Sequence, residues 1–190
     1  RFYQNLHTKI NLNFDKQSGL KKILIFQTLR LGIKLLKKEK FSLIEKMINF
    51  ICEKLVRKKI KMQFGGNLQA FISGGGALDR KIGEFLNSIG LPTLQGYGLT
   101  EASPVVSCNL PNCVKVETVG PPFSTNKIKI AEDGEILIKG ENVMIGYWNK
   151  EKETREMIKN NWLHTGDIGE IDSEGFLKIT DRKKDIIVNL

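Results

Sequence analysis

The chain has 190 residues and a formal net charge of +9; 41% of its residues are hydrophobic and 27% are charged. This composition is typical of a folded globular protein. No apolar run approaches the length of a membrane span, because lysine and glutamate interrupt the most hydrophobic stretch, residues 23–56. The three cysteines are an odd number without metal-ligand spacing, which predicts packing residues in a reduced, cytosolic setting and not a disulfide framework.

The positive charge is concentrated in the first third of the chain. Residues 1–63 contain 16 lysines and arginines against 4 acidic residues, a net +12, whereas the remainder carries −3. A basic amphipathic region of this kind is either the solvated face of helices packed on a core or a surface that contacts anionic membranes. Both interpretations stay open, and nucleic acid is not a predicted partner.

Two helices are predicted in this basic region. Apolar residues recur at helical spacing over residues 23–36 and again over residues 43–56. Ser42 and Glu45 have the spacing of a capping box, which predicts that the second helix begins there.

An α/β pattern follows from residue 68. Residues 68–72 predict a short strand that runs into Ser73 and three glycines, and apolar spacing predicts a helix over residues 79–89. A second short strand is predicted over residues 93–95. The segment after it would then lie at the carboxyl end of a strand, where open α/β sheets bind their ligands.

The last third is predicted to be rich in β-structure. One hairpin pairs residues 127–130 with 135–139, a second pairs residues 168–171 with 176–179, and residues 150–159 predict a short helix. The predicted division of the chain has four parts: a basic helical segment (1–63), an α/β part (64–120), a β-rich subdomain (121–181) and a short basic part (182–190).

The first candidate motif is the run of three glycines at residues 74–76. Glycine lets the backbone approach a flat ligand without a side chain between them, although the run could equally form a tight turn from strand to helix. Neither a Walker loop nor a Gly-x-Gly-x-x-Gly pattern occurs in the sequence.

The second candidate motif is residues 95–101, QGYGLTE. Tyr97 lies between two glycines, which pack poorly around an aromatic ring, so stacking on a nucleotide base is favoured over a tyrosine that closes a loop. Thr100 supplies a hydroxyl suited to a phosphate. Glu101 supplies an oxygen ligand for a hard cation such as Mg²⁺, or alternatively a helix cap.

The third candidate motif combines residues 162–167, WLHTGD, with residues 181–185, DRKKD. The carboxylate of Asp167 can accept hydrogen bonds from two hydroxyls at once, or it caps a turn. The basic cluster that includes Arg182 and Lys184 could also be a solvated turn. His164 is interpreted as structural.

These motifs, in this order, resemble the AMP-forming acyl-CoA synthetases, closest to their long-chain fatty-acid branch, from about residue 61 to residue 190. The resemblance implies that ATP and a fatty acid form an acyl-adenylate, which then acylates coenzyme A. It also implies the fold class: α/β, the C-terminal part of the large N-terminal domain of an adenylate-forming enzyme, with a β-rich subdomain, ending at the interdomain hinge.

The resemblance also implies a role for each motif residue. The predicted nucleotide-binding residues are Gly74, Gly75, Gly76, Gln95, Gly96, Tyr97, Thr100, Asp167 and Arg182. Of these, the glycines and Tyr97 line the adenine, Asp167 and Arg182 contact the ribose, and Thr100 contacts the α-phosphate. The residues implied in catalysis are Thr100, Glu101 as the Mg²⁺ ligand, and Lys184 as the hinge between two domains.

Two elements of the resembled family lie outside these residues: a phosphate loop upstream and a catalytic lysine downstream. The chain is therefore expected to be an interior piece of a ligase, inactive alone, that is cytosolic and contacts anionic membranes peripherally through its basic helices. The long-chain assignment depends on the basic helical insert and residues 162–167. The alternatives are an AMP-forming ligase for another carboxylic acid and a non-catalytic adenine-binding or membrane-association module.

Overall fold

The computed structural model describes residues 1–183, and these form two compact units. The first unit contains residues 1–72 and 78–93, and the second contains residues 73–77 and those from 94 onward. The chain therefore passes between the units three times, and each unit has its own core.

Helices build the first unit. Those within residues 1–72 and 78–93 are α1 (Phe2–Asp15), α2 (Gly19–Leu36), α3 (Leu43–Cys52), α4 (Lys58–Gln63) and α5 (Arg80–Ser88). A π-helical segment, Glu53–Arg57, joins α3 to α4. The predicted capping box is confirmed, because the Ser42 hydroxyl accepts from the Glu45 N–H at 3.2 Å and the Glu45 carboxylate accepts from the Ser42 N–H at 3.0 Å.

The core of the first unit is apolar and is covered in part by α1. Its buried members are Val56, Ile60, Ile82, Phe85, Leu86, Ile89 and Leu91. Both predicted helices are confirmed: α2 begins four residues before the predicted start, and the second helix is α3 together with the π-helical segment that follows it. The helix α1 was not predicted. Its apolar residues Tyr3, Leu6, Ile10 and Phe14 pack against this cluster at helical spacing, so the cluster selects a helix in a segment that is otherwise polar.

Arg57 is a buried cation that crosslinks the first unit. It is 4% exposed, and its guanidinium donates to the carbonyl oxygens of Ser88 at 2.8 Å and Thr28 at 3.1 Å. It also donates to Asn49 Oδ1 at 2.8 Å and lies 3.3 Å from the Glu53 carboxylate. A buried charge is tolerated only when hydrogen bonds replace its hydration, so these partners fix α2, α3 and α5 together.

The second unit contains most of a three-stranded sheet, whose strands β1 (Phe71–Ser73), β2 (Thr93–Gly98) and β3 (Val105–Cys108) lie in that order. The unit boundaries fall inside β1 and β2. β2 and β3 are antiparallel, with Gly96 opposite Cys108 and a register shift between Tyr97 and Gly98.

Within the described residues, a five-stranded antiparallel sheet completes the second unit. Its strands are β4 (Asn126–Ile130), β5 (Glu135–Gly140), β6 (Ile158–Lys159), β7 (Trp162–Ile171) and β8 (Leu177–Arg182). They lie in the order β4, β5, β7, β6, with β8 also paired to β7, and a short helix, α6 (Glu151–Met157), precedes β6. Both predicted hairpins are confirmed by the registers Ile130 opposite Ile136 and Ile171 opposite Leu177.

Two strand predictions were too short. β2 continues to Gly98, so Tyr97 lies within the strand and not after it. The extension depends on pairing with β3, which brings the chain so close that a Cβ atom on Gly98 would lie 1.7 Å from the Pro104 carbonyl oxygen. β7 begins at Trp162, so the WLHTGD motif is part of a strand and Asp167 lies in its middle.

No helix among residues 1–183 is long and apolar enough to cross a membrane.

The hydrogen bonds of Arg57 lead to a stability prediction. We expect Arg57→Met to lower the free energy of unfolding by at least about 2 kcal/mol, because the carbonyl oxygens of Thr28 and Ser88 lose their donor while buried. Urea denaturation of the 190-residue chain measures the change. Arg155→Met is the control, since Arg155 and its partner Glu151 are 78% and 84% exposed. Equal destabilisation by the two substitutions would contradict the role given to Arg57.

Candidate functional site

The three glycines at residues 74–76 lie exposed between β1 and α5. A Cβ atom at Gly75 or Gly76 would meet nothing within 4 Å, and one at Gly74 would meet only the Gly96 carbonyl oxygen, at 3.8 Å. Packing among the described residues therefore does not require glycine at positions 74 and 76. At position 75 the backbone favours glycine, because φ is +74°. The backbone of these glycines is therefore accessible to a ligand.

Asp167 is the centre of the second group of site residues. The Tyr97 hydroxyl donates to Asp167 Oδ2 at 2.6 Å, and Arg182 Nε lies 3.3 Å from Asp167 Oδ1. Asp167 and Arg182 are directly opposite each other on β7 and β8. The second unit thus brings together three predicted site residues that are far apart in the sequence.

The Asp167 carboxylate keeps capacity for further donors. Each carboxylate oxygen accepts about two hydrogen bonds; the Tyr97 hydroxyl donates to Oδ2, and the Arg182 guanidinium forms an ion pair with Oδ1. The side chain is 13% exposed, so the remaining positions are at the surface of a mostly buried group. Such a carboxylate fits a ligand with two neighbouring hydroxyls.

The Tyr97 hydroxyl stays a donor throughout the neutral range. Burial of the ring and the hydrogen bond to Asp167 raise the pKa of the Tyr97 phenol far above its ordinary value. The ring packs against the buried cluster of the second unit. Its predicted stacking on adenine stays a prediction, whereas its bond to Asp167 is a contact that the sequence did not predict.

Glu101 lies in a short 3-10 helix, Thr100–Ala102, next to an exposed Thr100. Its carboxylate accepts from the Tyr147 hydroxyl at 2.6 Å, and its backbone carbonyl accepts from the Met144 N–H at 2.8 Å. The carboxylate is therefore oriented before any cation binds. Tyr147 is a site residue that sequence reasoning missed, although it follows Gly146 and so repeats the pairing of an aromatic ring with glycine seen at Tyr97.

The donor set fits a metal ion that arrives with its phosphates. No group of three or more histidine, cysteine or acidic side chains among residues 1–183 could bind a metal on its own. Mg²⁺ is commonly bound by one or two carboxylates together with substrate phosphates. Glu101 can supply one such carboxylate, which fits a nucleotide-bound Mg²⁺ better than a resident metal.

The other predicted residues have varied surroundings. Gln95 is buried, and its amide donates to the carbonyl oxygen of Val116, so its side chain is engaged within the protein. Gly96 pairs with Cys108, while His164 contacts Glu135 with an Nδ1–Oε2 distance of 3.1 Å, in keeping with a structural role. Lys184 lies outside the described residues, and the hinge stays a prediction.

Comparison with known proteins shows the family of the chain. Residues 24–148 match the family model described as AMP-binding enzyme, which is more than half of the chain. The chain therefore belongs to the AMP-binding enzyme family, as its motifs predicted.

Two curated relatives and one solved structure illustrate the similarity. The chain is 44% identical over 138 residues to the long-chain-fatty-acid–CoA ligase FadD15 of Mycobacterium bovis. This match covers 73% of this chain and 23% of the relative. The chain is 37% identical over 160 residues to a 2-succinylbenzoate–CoA ligase of Bacillus cereus, covering 78% and 32%. The chain thus spans between about a quarter and a third of the curated relatives.

Among solved structures, the O-succinylbenzoate coenzyme A synthetase of Bacillus subtilis, in complex with ATP and magnesium ion, matches with a TM-score of 0.56. The two are 36% identical, and the match covers 60% of this chain and 26% of the other. The predicted fold class, an α/β part of the N-terminal domain of an adenylate-forming enzyme, is confirmed.

The contact between Tyr147 and Glu101 leads to a pH prediction. The hydrogen bond to Glu101, with smaller effects of burial and of the Glu101 charge, raises the pKa of Tyr147 to about 12. Because the folded pKa exceeds the ordinary value of 10.0, the stability from this bond is complete below pH 10 and is lost as the pH rises through about 12.

Carbon-13 labelling at the ζ position of the three tyrosines measures this pKa by NMR. Glu101→Gln removes the charge and should return the Tyr147 resonance towards the ordinary pKa. The exposed Glu151→Gln is the control and should leave it unchanged. A Tyr147 resonance that titrates near its ordinary value of 10.0 in the unsubstituted chain would rule out the contact.

Proposed function

We propose that the chain forms the nucleotide-binding section of a ligase that uses ATP to activate a carboxylic acid and then transfers the acyl group to coenzyme A. The observation that carries the proposal is the convergence of Tyr97 and Arg182 on the buried carboxylate of Asp167. Membership of the AMP-binding enzyme family supports it, and so does the similarity to a synthetase that was solved in complex with ATP and magnesium ion.

Each part of the site has a proposed task. The exposed backbone of Gly74, Gly75 and Gly76 and the ring of Tyr97 receive the adenine. Asp167 accepts from the ribose hydroxyls, with Arg182 beside it, and the exposed hydroxyl of Thr100 donates to the α-phosphate. Gln95 and Gly96 contribute through the strand that carries Tyr97.

The chain's residues act mainly by orienting charges before reaction. Tyr97 and Arg182 fix the carboxylate of Asp167, and Tyr147 fixes that of Glu101. Fixed charges stabilise a transition state without reorganising during the reaction, which gives them more effect than mobile ones. Mg²⁺ bound with the nucleotide would supply neutralisation of the departing diphosphate.

The proposed acid is a long-chain fatty acid. The 44% identity to a long-chain-fatty-acid–CoA ligase supports this choice over the 37% identity to a 2-succinylbenzoate–CoA ligase. Another acid is the alternative within the same reaction, and a non-catalytic adenine-binding module is the alternative from a different class. Acid-dependent release of diphosphate from ATP distinguishes a ligase, whatever its acid, from the non-catalytic module.

A cytosolic setting with peripheral contact to anionic membranes completes the proposal. Several apolar side chains of the basic helices are exposed, among them Leu20, Phe26 and Leu43. Lysines on the same helices would contact acidic lipid headgroups while such apolar side chains enter the bilayer surface.

Acid-dependent release of diphosphate by the complete ligase tests the reaction and its substrate. With ATP and Mg²⁺ present, we expect palmitate to support release and 2-succinylbenzoate to support much less. Release with 2-succinylbenzoate but not with palmitate would show that the substrate is the alternative acid and not a fatty acid. Release with neither acid, by a folded protein that binds AMP, would favour the non-catalytic module.

The same assay tests Glu101. We expect Glu101→Gln to lower the rate of diphosphate release at least about tenfold, a barrier increase of about 1.4 kcal/mol, because the Mg²⁺ site loses a full negative charge. Glu151→Gln, an exposed charge change on α6, is the matched control. An unchanged rate for Glu101→Gln would show that its carboxylate is not a metal ligand.

A further inference from the structure

We propose that Glu135 is a positioning residue that sets the geometry of Asp167 and Arg182 for ribose recognition; this inference rests on the proposed function. Glu135 is the first residue of β5 and is 6% exposed. Its carboxylate accepts from the Gly166 N–H at 2.9 Å and from Lys183 Nζ at 3.0 Å, and it lies 3.1 Å from His164 Nδ1.

Two of these partners are the chain neighbours of the ribose-binding pair. Gly166 immediately precedes Asp167, and Lys183 immediately follows Arg182. One buried carboxylate therefore contacts a chain neighbour of each member of the ion pair between Asp167 and Arg182, whose distance is 3.3 Å. Glu135 need not touch the nucleotide to affect it.

Sheet pairing is irregular near Asp167, although Asp167 itself pairs with Arg182. The register between β5 and β7 shifts between Glu135 and Leu137, and that between β7 and β8 shifts between Ile168 and Gly169. Two backbone N–H groups next to the register shifts donate to side-chain oxygens. The Gly166 N–H donates to the Glu135 carboxylate, and the Asp167 N–H donates to the Thr165 hydroxyl at 3.1 Å. The orientation of Asp167 thus depends on side-chain acceptors.

Charge favours the same arrangement. Burial alone would raise the pKa of Glu135, but the hydrogen bonds from His164, Gly166 and Lys183 together lower it below its ordinary value. The carboxylate is therefore ionised at neutral pH, and His164 Nδ1 must donate to it. Lys183 is shared with Asp133, at 2.6 Å, which limits the freedom of its side chain.

Discrimination between AMP and 2′,3′-dideoxy-AMP tests this inference. Asp167 distinguishes the two nucleotides only if it faces the ribose hydroxyls. The dissociation constant of the dideoxy analogue divided by that of AMP therefore reports the position of Asp167 and not the amount of folded protein. We expect Glu135→Gln to lower this ratio about tenfold, because a charged acceptor of the Gly166 N–H is lost. Glu170→Gln, which removes a charge from the exposed side of β7, should leave the ratio unchanged.

The outcomes are distinct. A ratio retained by folded Glu135→Gln would overturn the positioning role while leaving the proposed function intact. An unsubstituted chain that binds AMP no better than its dideoxy analogue, or binds neither, would overturn both. If circular dichroism shows that Glu135→Gln does not fold, Lys183→Met replaces it, since Lys183 is at the surface; a lower ratio supports the role, and an unchanged ratio overturns it.

Discussion

The site depends on the sharing of one carboxylate. Asp167 is mostly buried, and a buried carboxylate costs several kcal/mol unless donors replace its hydration. The Tyr97 hydroxyl supplies a hydrogen bond, and the Arg182 guanidinium supplies an opposite charge at 3.3 Å. Because the three residues belong to β2, β7 and β8, satisfying this one charge fixes the relative positions of three strands in the second unit.

Glu101, like Asp167, is a carboxylate oriented by a tyrosine hydroxyl. Its carboxylate also accepts from a tyrosine hydroxyl, that of Tyr147, but it lies in a short 3-10 helix and not within a strand. The Glu101 carboxylate lies beside the exposed Thr100, where a cation could arrive with phosphates, whereas Asp167 lies between Tyr97 and Arg182 and offers its remaining lone pairs. The two environments suit one carboxylate to a metal ion and the other to neutral hydroxyls.

Local features of the structure could be predicted from the sequence, and long-range ones could not. The capping box of Ser42 and Glu45 and both hairpins follow from residues within a few positions of one another. In contrast, α1 depends on partners distant in the chain, and so do the contacts of Tyr147 with Glu101, 46 residues apart, and of Tyr97 with Asp167, 70 apart. Motifs identified the residues, while their mutual hydrogen bonds required the fold.

The central claim is that Asp167, oriented by Tyr97 and Arg182, binds the ribose of an adenine nucleotide. Calorimetric titration of the chain with AMP, comparing the unsubstituted protein with Asp167→Asn, tests it most directly. We expect Asp167→Asn to fold and to bind AMP at least about tenfold more weakly, a loss of about 1.4 kcal/mol, because an amide accepts fewer and weaker hydrogen bonds. Equal affinity of the two folded proteins for AMP would contradict the claim.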